Sequence, residues 1–596
     1  MTEALKLSGN LRVSADIGGT FTDIVVQDRR TGQVITRKIP STPDNPANAV
    51  LQGLREVSET ARVDYFIHGT TIGLNAVLER RGAKTALITT EGFAGSYTIQ
   101  GNERRDIYAL NYRKPMTLVP PRDIYSVRER VDAQGQIVEP IRPGDLDAVI
   151  EACQREKYEA LAICFLFSFK NPDHEIQARD YLAKYLPDIS ISLSSVVSPE
   201  WREFARTSTT VLNAYTAPPV KRYLDRLVGE IRQIAPAAGV CVMSSNGGGM
   251  SAGTAGEKAI RTLLSGPVGG GVGGENLGRL LDRPNLICVD MGGTSFDASL
   301  VVDGKITISA EAEIQGLPIQ TPIVDIHVIG AGGGSIARMA DGALRVGPES
   351  AGSRPGPVCY GRGGTEPTVT DANVVLGRIN PDYFSGGTMT IDKPGADNAV
   401  GRLAKDLDME LDPMAEGIIA VADAKMADAM RSITIARGID PRRFSLVVYG
   451  GAGPLHAASI ASSLQIREVI IPLFPGVFSA WGMLQSDIRH DYKASFFSPW
   501  SGVDLSMLDA GFQALDTEAE TLARAEGLDI ATITKERFLD FRYIGQEFSQ
   551  TCPLPDTPID IAKAAAAFHV ICKDRCGHAN PFAPIEVVNL RLRTIS

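Results

Sequence analysis

Long apolar runs are missing from this chain. The longest, LAICFLFSF at residues 161–169, holds nine residues, less than half of what a membrane-crossing helix needs. It reads as a buried strand, and no membrane partner is expected. A basic excess is missing too: 60 Lys and Arg against 70 Asp and Glu leave a net charge of −10. Nucleic-acid binding calls for a concentrated basic face, so nucleic acid is not an expected partner. The eight cysteines are scattered over 596 residues and form no disulfide framework. Cys164, Cys241 and Cys288 sit inside apolar runs and are expected as buried thiols. The N-terminal MTEALKLSGN lacks the basic stretch and apolar run of a secretory leader, so a cytoplasmic location is expected.

What is abundant is glycine. The 59 glycines gather in a few loops, which marks places where backbone turns sharply or approaches a ligand. The first is in LRVSADIGGTFTDIVVQDRRTGQVITRKIP, residues 11–40. Its alternating apolar residues, broken at Gly-Gly and again at Arg-Arg-Thr-Gly, predict an antiparallel meander. The same grammar returns in NLICVDMGGTSFDASLVVDGKITI at 286–309. Asp16, Gly18, Gly19, Thr20 and Asp23 match Asp290, Gly292, Gly293, Thr294 and Asp297 in order and spacing. A repeat so widely spaced signals two related domains, not a solenoid. Between and after the copies, helix and strand patterns alternate, as in α/β domains. GLNAVLERRG (73–82) reads as a helix closed by Gly82.

Asp-x-Gly-Gly-Thr-x-x-Asp between two strands has a direct chemical reading. Glycines let backbone N–H groups approach phosphate oxygens, and the threonine adds a hydroxyl. The first aspartate of each copy, Asp16 and Asp290, ends a strand where it can hold Mg²⁺ through water; Asp23 and Asp297 are supporting acids. Gly18, Gly19, Thr20, Gly292, Gly293 and Thr294 are the expected phosphate binders. A third element, Gly450-Gly451-Ala452-Gly453-Pro454, follows a strand and opens a helix, so Gly450, Gly451 and Gly453 are assigned to the adenosine. The order phosphate loop, phosphate loop, adenosine loop is the plan of sugar kinases, heat-shock ATPases and actin. The expected fold is therefore α/β, with duplicated ribonuclease-H-like ATPase domains and a shortened C-terminal α+β domain. The expected boundaries are 1–200, 201–492 and 493–596.

DIGGTFTDIVV, HGTTIGLNAVLERRG (68–82), SPEWREFARTSTTVLNAY (198–215), LSGPVGG (264–270), DMGGTSFDASL, IGAGGGSIA (329–337), VTDANVVLGR (369–378) and GGAGPLHA (450–457) together resemble the hydantoinase A/oxoprolinase family over nearly the whole chain. The resemblance implies ATP and Mg²⁺ as cofactors and phosphorylation of a substrate carbonyl. The activated carbonyl is then either hydrolysed, opening a cyclic amide, or carboxylated. It further implies a hydantoinase B-type partner subunit and a hetero-oligomer built on a dimer. It places His68, Thr70, Thr71 and Asn75 on the substrate wall of the cleft. Relatives continue about a hundred residues further, which is the ground for expecting a shortened third domain.

Other patterns have plainer readings. Gly330-x-Gly332-x-Gly334 lacks the acid and the βαβ unit of a dinucleotide fingerprint and reads as a cleft-lining loop or a tight turn. His327 and His456 read as structural, with substrate or metal contact as the alternative. Asp371 and Asn373 cap the helix after them or join His327 in a cleft cluster. A hydrolase of cyclic amides leads; a ketone carboxylase, a regulatory or chaperone-like ATPase and a sugar kinase remain as alternatives.

Overall fold

The computed structural model describes residues 11–18, 21–42, 46–58, 62–101, 104, 106–310, 312–384, 387, 389–554 and 558–596. The alternation in the first segment yields β1 (Leu11–Ile17), whose Leu11, Val13 and Ala15 are fully buried. It is followed by β2 (Phe21–Asp28), β3 (Val34–Pro40) and β4 (Val63–Gly69). The fifth strand, β5 (Gly239–Met243), arrives much later. In space the order is β3-β2-β1-β4-β5, with Gly249–Ser251 at the edge. β1 runs antiparallel to β2 and parallel to β4; β4 runs parallel to β5.

The sequence places the end of this lobe near residue 200, yet its sheet is completed only at 239–243. A parallel neighbour needs a long crossover, and this one makes a detour. Between β4 and β5 stands a second, all-parallel sheet of four strands: Ser190–Leu193, Ala160–Cys164, Thr85–Thr90 and Ile124–Val127. Helix α1 (Glu203–Ile234) has 32 residues, about 48 Å at 1.5 Å per residue. It starts against that sheet with Val211 and Ala214 and ends in the first lobe's core with Leu227 and Ile231. The helix expected at 73–82 spans Ile72–Leu78 instead. Arg80 turns the chain at φ +56°, and Gly82 lies against the Tyr215 ring, where a Cβ would come within 2.1 Å.

The second lobe repeats the plan. After α2 (Val268–Leu281) come β6 (Leu286–Met291), β7 (Phe296–Val302) and β8 (Lys305–Ile306). Helix α3 (Leu411–Ile433) precedes β9 (Ser445–Tyr449) and β10 (Val469–Ile470). The order β8-β7-β6-β9-β10 and every strand direction match the first lobe. The fold is a pair of duplicated ribonuclease-H-like domains. Ile287, Val289 and Met291 pack on Met414, Ile418, Met426 and Met430 of α3.

Helix α4 (Phe478–Leu484) seals the two lobes together. Its Ala480, Met483 and Leu484 share one apolar cluster with Val25, Ile67 and Met243 of the first lobe and Val268 and Val272 of α2. The third domain is α+β. Strands β11 (Arg489–Pro499), β12 (Thr534–Tyr543), β13 (Gln550–Pro553) and β14 (Ile585–Ile595) form an antiparallel sheet in the order β11-β14-β12-β13. Helices α5 (Leu505–Ala525) and α6 (Ile561–Cys576) cover one face. Among the described residues no helix is long and apolar enough to cross a membrane.

Candidate active site

Each repeated motif folds as a hairpin with the same geometry. Asp16 faces Asp23 across β1 and β2, and Asp290 faces Asp297 across β6 and β7. The Gly18 amide donates to the Phe21 carbonyl at 2.9 Å; the Gly292 amide donates to the Ser295 carbonyl at 3.2 Å. Gly19 and Thr20 lie outside the described residues.

The two hairpins converge on one electrostatic centre. Burial, then Asp23, then Asp290 push the Asp16 carboxyl up to about 8, against the pull of Lys38. Burial raises Asp290 to about 6; a hydrogen bond from Ser479 Oγ (3.2 Å) lowers it, and Asp23 raises it further. Burial, followed by Asp290, brings Asp297 to about 7. Burial also raises Asp23, opposed by its ion pair with Lys38 at 2.5 Å. Asp16, Asp23 and Asp290 repel one another and Asp290 repels Asp297, while Lys38 lowers the first three. The Oδ1 of Asp297 is buried without a hydrogen-bond partner. Such a set fits a divalent cation, whose charge would return every carboxylate to its ionised form.

The second hairpin also offers donors. The carbonyls of Gly292 and Gly293 accept from the amides of Gly333 (3.0 Å) and Gly334 (2.7 Å). The amides of Gly293 and Thr294 take no acceptor among the described residues. Gly293 and Thr294 are exposed, and no atom lies within 4 Å of a Cβ built on Gly292 or Gly293. Unpaired amides beside open space suit phosphate oxygens. The loop 330–334 is thus the brace of the hairpin: a Cβ on Gly332 would come within 2.6 Å of the Gly293 carbonyl.

The third glycine loop closes on the same centre. Gly450 has φ +84°, and a Cβ there would lie 2.3 Å from Asp290 Oδ1, so both conformation and space demand glycine. Gly451 is exposed with nothing near it, while Gly453 is buried under Val448 and Met291. The chain then enters a short 3₁₀ turn, Gly453–Leu455, before the helix Ala457–Leu464. Asp290 also faces Tyr449 in register.

Positions 68–75 have mixed placements. The His68 ring is fully buried, with Nδ1 3.1 Å from the Ala15 carbonyl and Nε2 2.8 Å from the Tyr223 hydroxyl. Burial lowers it to about 4, so it is neutral, with both nitrogens engaged inside the lobe. Thr70 is buried; its carbonyl accepts from Ser265 Oγ of LSGPVGG at 3.0 Å. Thr71 precedes the helix Ile72–Leu78, and Asn75 on that helix is exposed. His456 is buried, with Nδ1 2.6 Å from Asp423 Oδ1. Asp371 closes a capping box with Thr368 and accepts from the Cys359 amide at 2.8 Å. His327 pairs with Ser432.

Sequence reasoning overlooked Lys38 and the segment 475–484. Lys38 stands opposite Asp23 in the β2–β3 register, a placement that counting back from the Arg-Arg-Thr-Gly turn would have found. The segment 475–484 touches the centre from both lobes. The Pro475 carbonyl accepts from the Gly450 amide (2.9 Å), the Gly476 carbonyl from Lys38 (3.3 Å), and the Ala480 carbonyl from Ser14 Oγ (2.6 Å). Nothing in its sequence foretells these contacts, which span the two lobes.

Comparison with known proteins agrees with this geometry. The Hydantoinase/oxoprolinase family model matches residues 206–492, and the model of the Hydantoinase/oxoprolinase N-terminal region matches residues 12–186. Caprolactamase subunit alpha of Pseudomonas jessenii is 34% identical over 98% of this chain and 87% of its own length. The crystal structure of ATP-dependent caprolactamase from that organism superposes with a TM-score of 0.88, at 33% identity over 98% of this chain and 87% of that one. Nucleotide-free acetone carboxylase gives 0.78 at 28% identity, covering 99% and 88%. 5-Oxoprolinase 1 of Arabidopsis thaliana is 32% identical over 91% of this chain but only 46% of its own length. Twin aspartate hairpins, a third glycine loop and these matches lead to one conclusion: the chain belongs to the hydantoinase/oxoprolinase family.

Proposed function

We propose that this chain is the ATP-binding subunit of an ATP-dependent hydrolase of cyclic amides, such as a hydantoin, 5-oxoproline or a lactam. One observation carries the reading: two hairpins from separate lobes bring Asp16 and Asp290 into one electrostatic centre beside the unpaired amides of Gly293 and Thr294. That is a place for a triphosphate and its magnesium. The caprolactamase and 5-oxoprolinase relatives favour an amide substrate.

In this reading Asp16 and Asp290 hold hydrated Mg²⁺, with Asp23 and Asp297 behind them. Gly18, Gly19, Thr20, Gly292, Gly293 and Thr294 bind phosphates, and Gly450, Gly451 and Gly453 face the adenosine. Lys38 neutralises charge on the first-lobe side. The substrate's carbonyl oxygen, in its imidate form, bonds to the γ-phosphorus as the bond to the bridging oxygen breaks and ADP departs. Mg²⁺ supplies charge neutralisation; positioning does the rest. Water then adds to the activated carbon, and the C–N bond breaks to free the ring nitrogen as an amine. A second water releases orthophosphate from the acyl phosphate left behind, with a B-type partner subunit, in a hetero-oligomer. Thr70, Thr71 and Asn75 lie along the substrate wall. His68 acts there only from behind, by fixing the end of β4.

The purified chain, alone and with its B-type partner, is assayed for ATP hydrolysis against hydantoins, 5-oxoproline, lactams, and ketones with bicarbonate. Turnover stimulated by a cyclic amide supports the reading. Stimulation by ketone and bicarbonate alone would replace it with a carboxylase, for which the likeness to acetone carboxylase speaks. Slow turnover indifferent to every substrate would point to a regulatory ATPase.

A further inference from the structure

One cavity of the protein lies apart from the two aspartate hairpins. About 1220 Å³ of space lies where both ATPase lobes meet the third domain, walled by Ser195–Glu200, by strands of the second lobe and by the sheet of the third domain. That sheet has two unlike faces. Tyr492, Leu539, Leu590 and Leu592 point to the helices and form the domain's core. On the other face, Asp491 stands opposite Arg593 and Lys493 opposite Arg591. A sheet face pressed toward other domains is ordinarily apolar; this one is charged, and it floors the cavity.

The charge balance of the walls runs against that of the chain. Eight lining residues are Lys or Arg and five are Asp or Glu, in a protein whose net charge is −10. Three of the five acids are already committed. Asp491 pairs with Arg593 at 2.9 Å, Asp325 with Arg437, and Glu200 with Lys493. Lys258 and Arg261 are left over. Arg261 donates to the backbone carbonyl of Asp491 at 3.1 Å, and neither it nor Lys258 has an ion-pair partner among the described residues. The two cations are partly buried and three residues apart. Glu518, Glu257 and Glu526 act on Lys258 and the Asp491 carboxyl on Arg261, but no carboxylate forms a salt bridge to either among the described residues, which leaves donors on both free for an anion. Arg261, then burial, hold Lys258 down to about 8, with Glu518, Glu257 and Glu526 pulling the other way.

We propose that this junction cavity is a second ligand site, binding a small organic or phosphate anion whose oxygens bridge Lys258 and Arg261. A guanidinium offers two parallel N–H donors to a carboxylate or phosphate, and the neighbouring ammonium adds a third contact. The size of the cavity is ample for such a molecule. The site shares no residue with the nucleotide cleft, so the proposal stands or falls apart from the activity assigned there.

Binding of glutarate and of orthophosphate to the full chain is measured by calorimetry at low ionic strength, with and without saturating MgATP. One molecule bound per chain in the presence of MgATP supports the site, and the tighter probe tells carboxylate from phosphate. Lys258→Gln removes a cation whose side chain makes no hydrogen bond or salt bridge among the described residues, so the fold is kept, and binding weakens about tenfold for one lost charged contact. Arg261→Gln weakens it more, and Lys258→Arg restores it. Displacement of the probe by MgATP, binding untouched by Lys258→Gln, or no binding of either probe overturns the proposal. So does a density map in which polypeptide fills the cavity.

Discussion

The two aspartate hairpins share a backbone but not a charge. Each presents an acid opposite an acid, with an equivalent glycine-amide hydrogen bond and the same antiparallel register. In the first, Lys38 lies on Asp23 at 2.5 Å. In the second no cation forms a salt bridge among the described residues: Lys38 reaches Asp290 only electrostatically, Asp290 has the Ser479 hydroxyl, and Asp297 keeps a buried oxygen unpaired. The second hairpin is also braced from behind by loop 330–334, which occupies its carbonyls and leaves its amides free. Duplication preserved the frame while side chains divided the work. The first hairpin carries the salt bridge; the second keeps an unpaired carboxylate oxygen beside free amides.

That contrast can be broken deliberately. Asp290→Asn strikes the second hairpin, and substrate-dependent ATP hydrolysis should fall by about 10³-fold, the scale for losing a main electrostatic contact in phosphoryl transfer. A steady-state assay beside a circular-dichroism check of folding reads this; activity above a tenth of wild type would contradict it. Lys38→Met strikes the first hairpin, and a loss of about 10²-fold is expected. Because Lys38 lowers Asp16, the same variant should also move the alkaline rise of activity to higher pH, which a purely structural role would not do.

The smallest effect sharpens the comparison without any ligand. Asp16, Asp297 and Asp290 keep their protons in the fold up to about 8, 7 and 6, whereas the ordinary value is 3.8. The folded state therefore binds more protons than the unfolded chain in this window. Stability contributed at low pH is lost as pH rises from about 4 to about 8. Asp16→Asn removes one such titration. It should raise the melting temperature of the nucleotide-free protein at pH 8 by on the order of 2 °C and leave it unchanged near pH 4. A lower melting temperature at pH 8 would count against the mutual repulsion described here.

Much of this was legible in the sequence because it is local. Alternation gave β1, β2, β6 and β7, and repeated spacing gave Asp16, Asp23, Asp290 and Asp297. The Gly450 loop was read from its place between a strand and a helix, although the structure adds that Gly450 presses on Asp290 itself. What stayed hidden depends on distant returns of the chain. Ser479 meets Asp290 across 189 positions, and no period or motif announces it. The first lobe's fifth strand lies at 239–243 because a whole parallel sheet and α1 intervene. His68 looked like a cleft residue by its company, yet Tyr223, 155 positions away, claims its second nitrogen.

The central claim is that both hairpins serve one nucleotide. Calorimetry of a magnesium-bound, non-hydrolysable ATP analogue on the full chain, with Asp16→Asn and Asp290→Asn as comparisons, tests it most directly. One nucleotide per chain is expected, with binding weakened in both variants. Two independent sites, or a single site indifferent to one of the two substitutions, would contradict it.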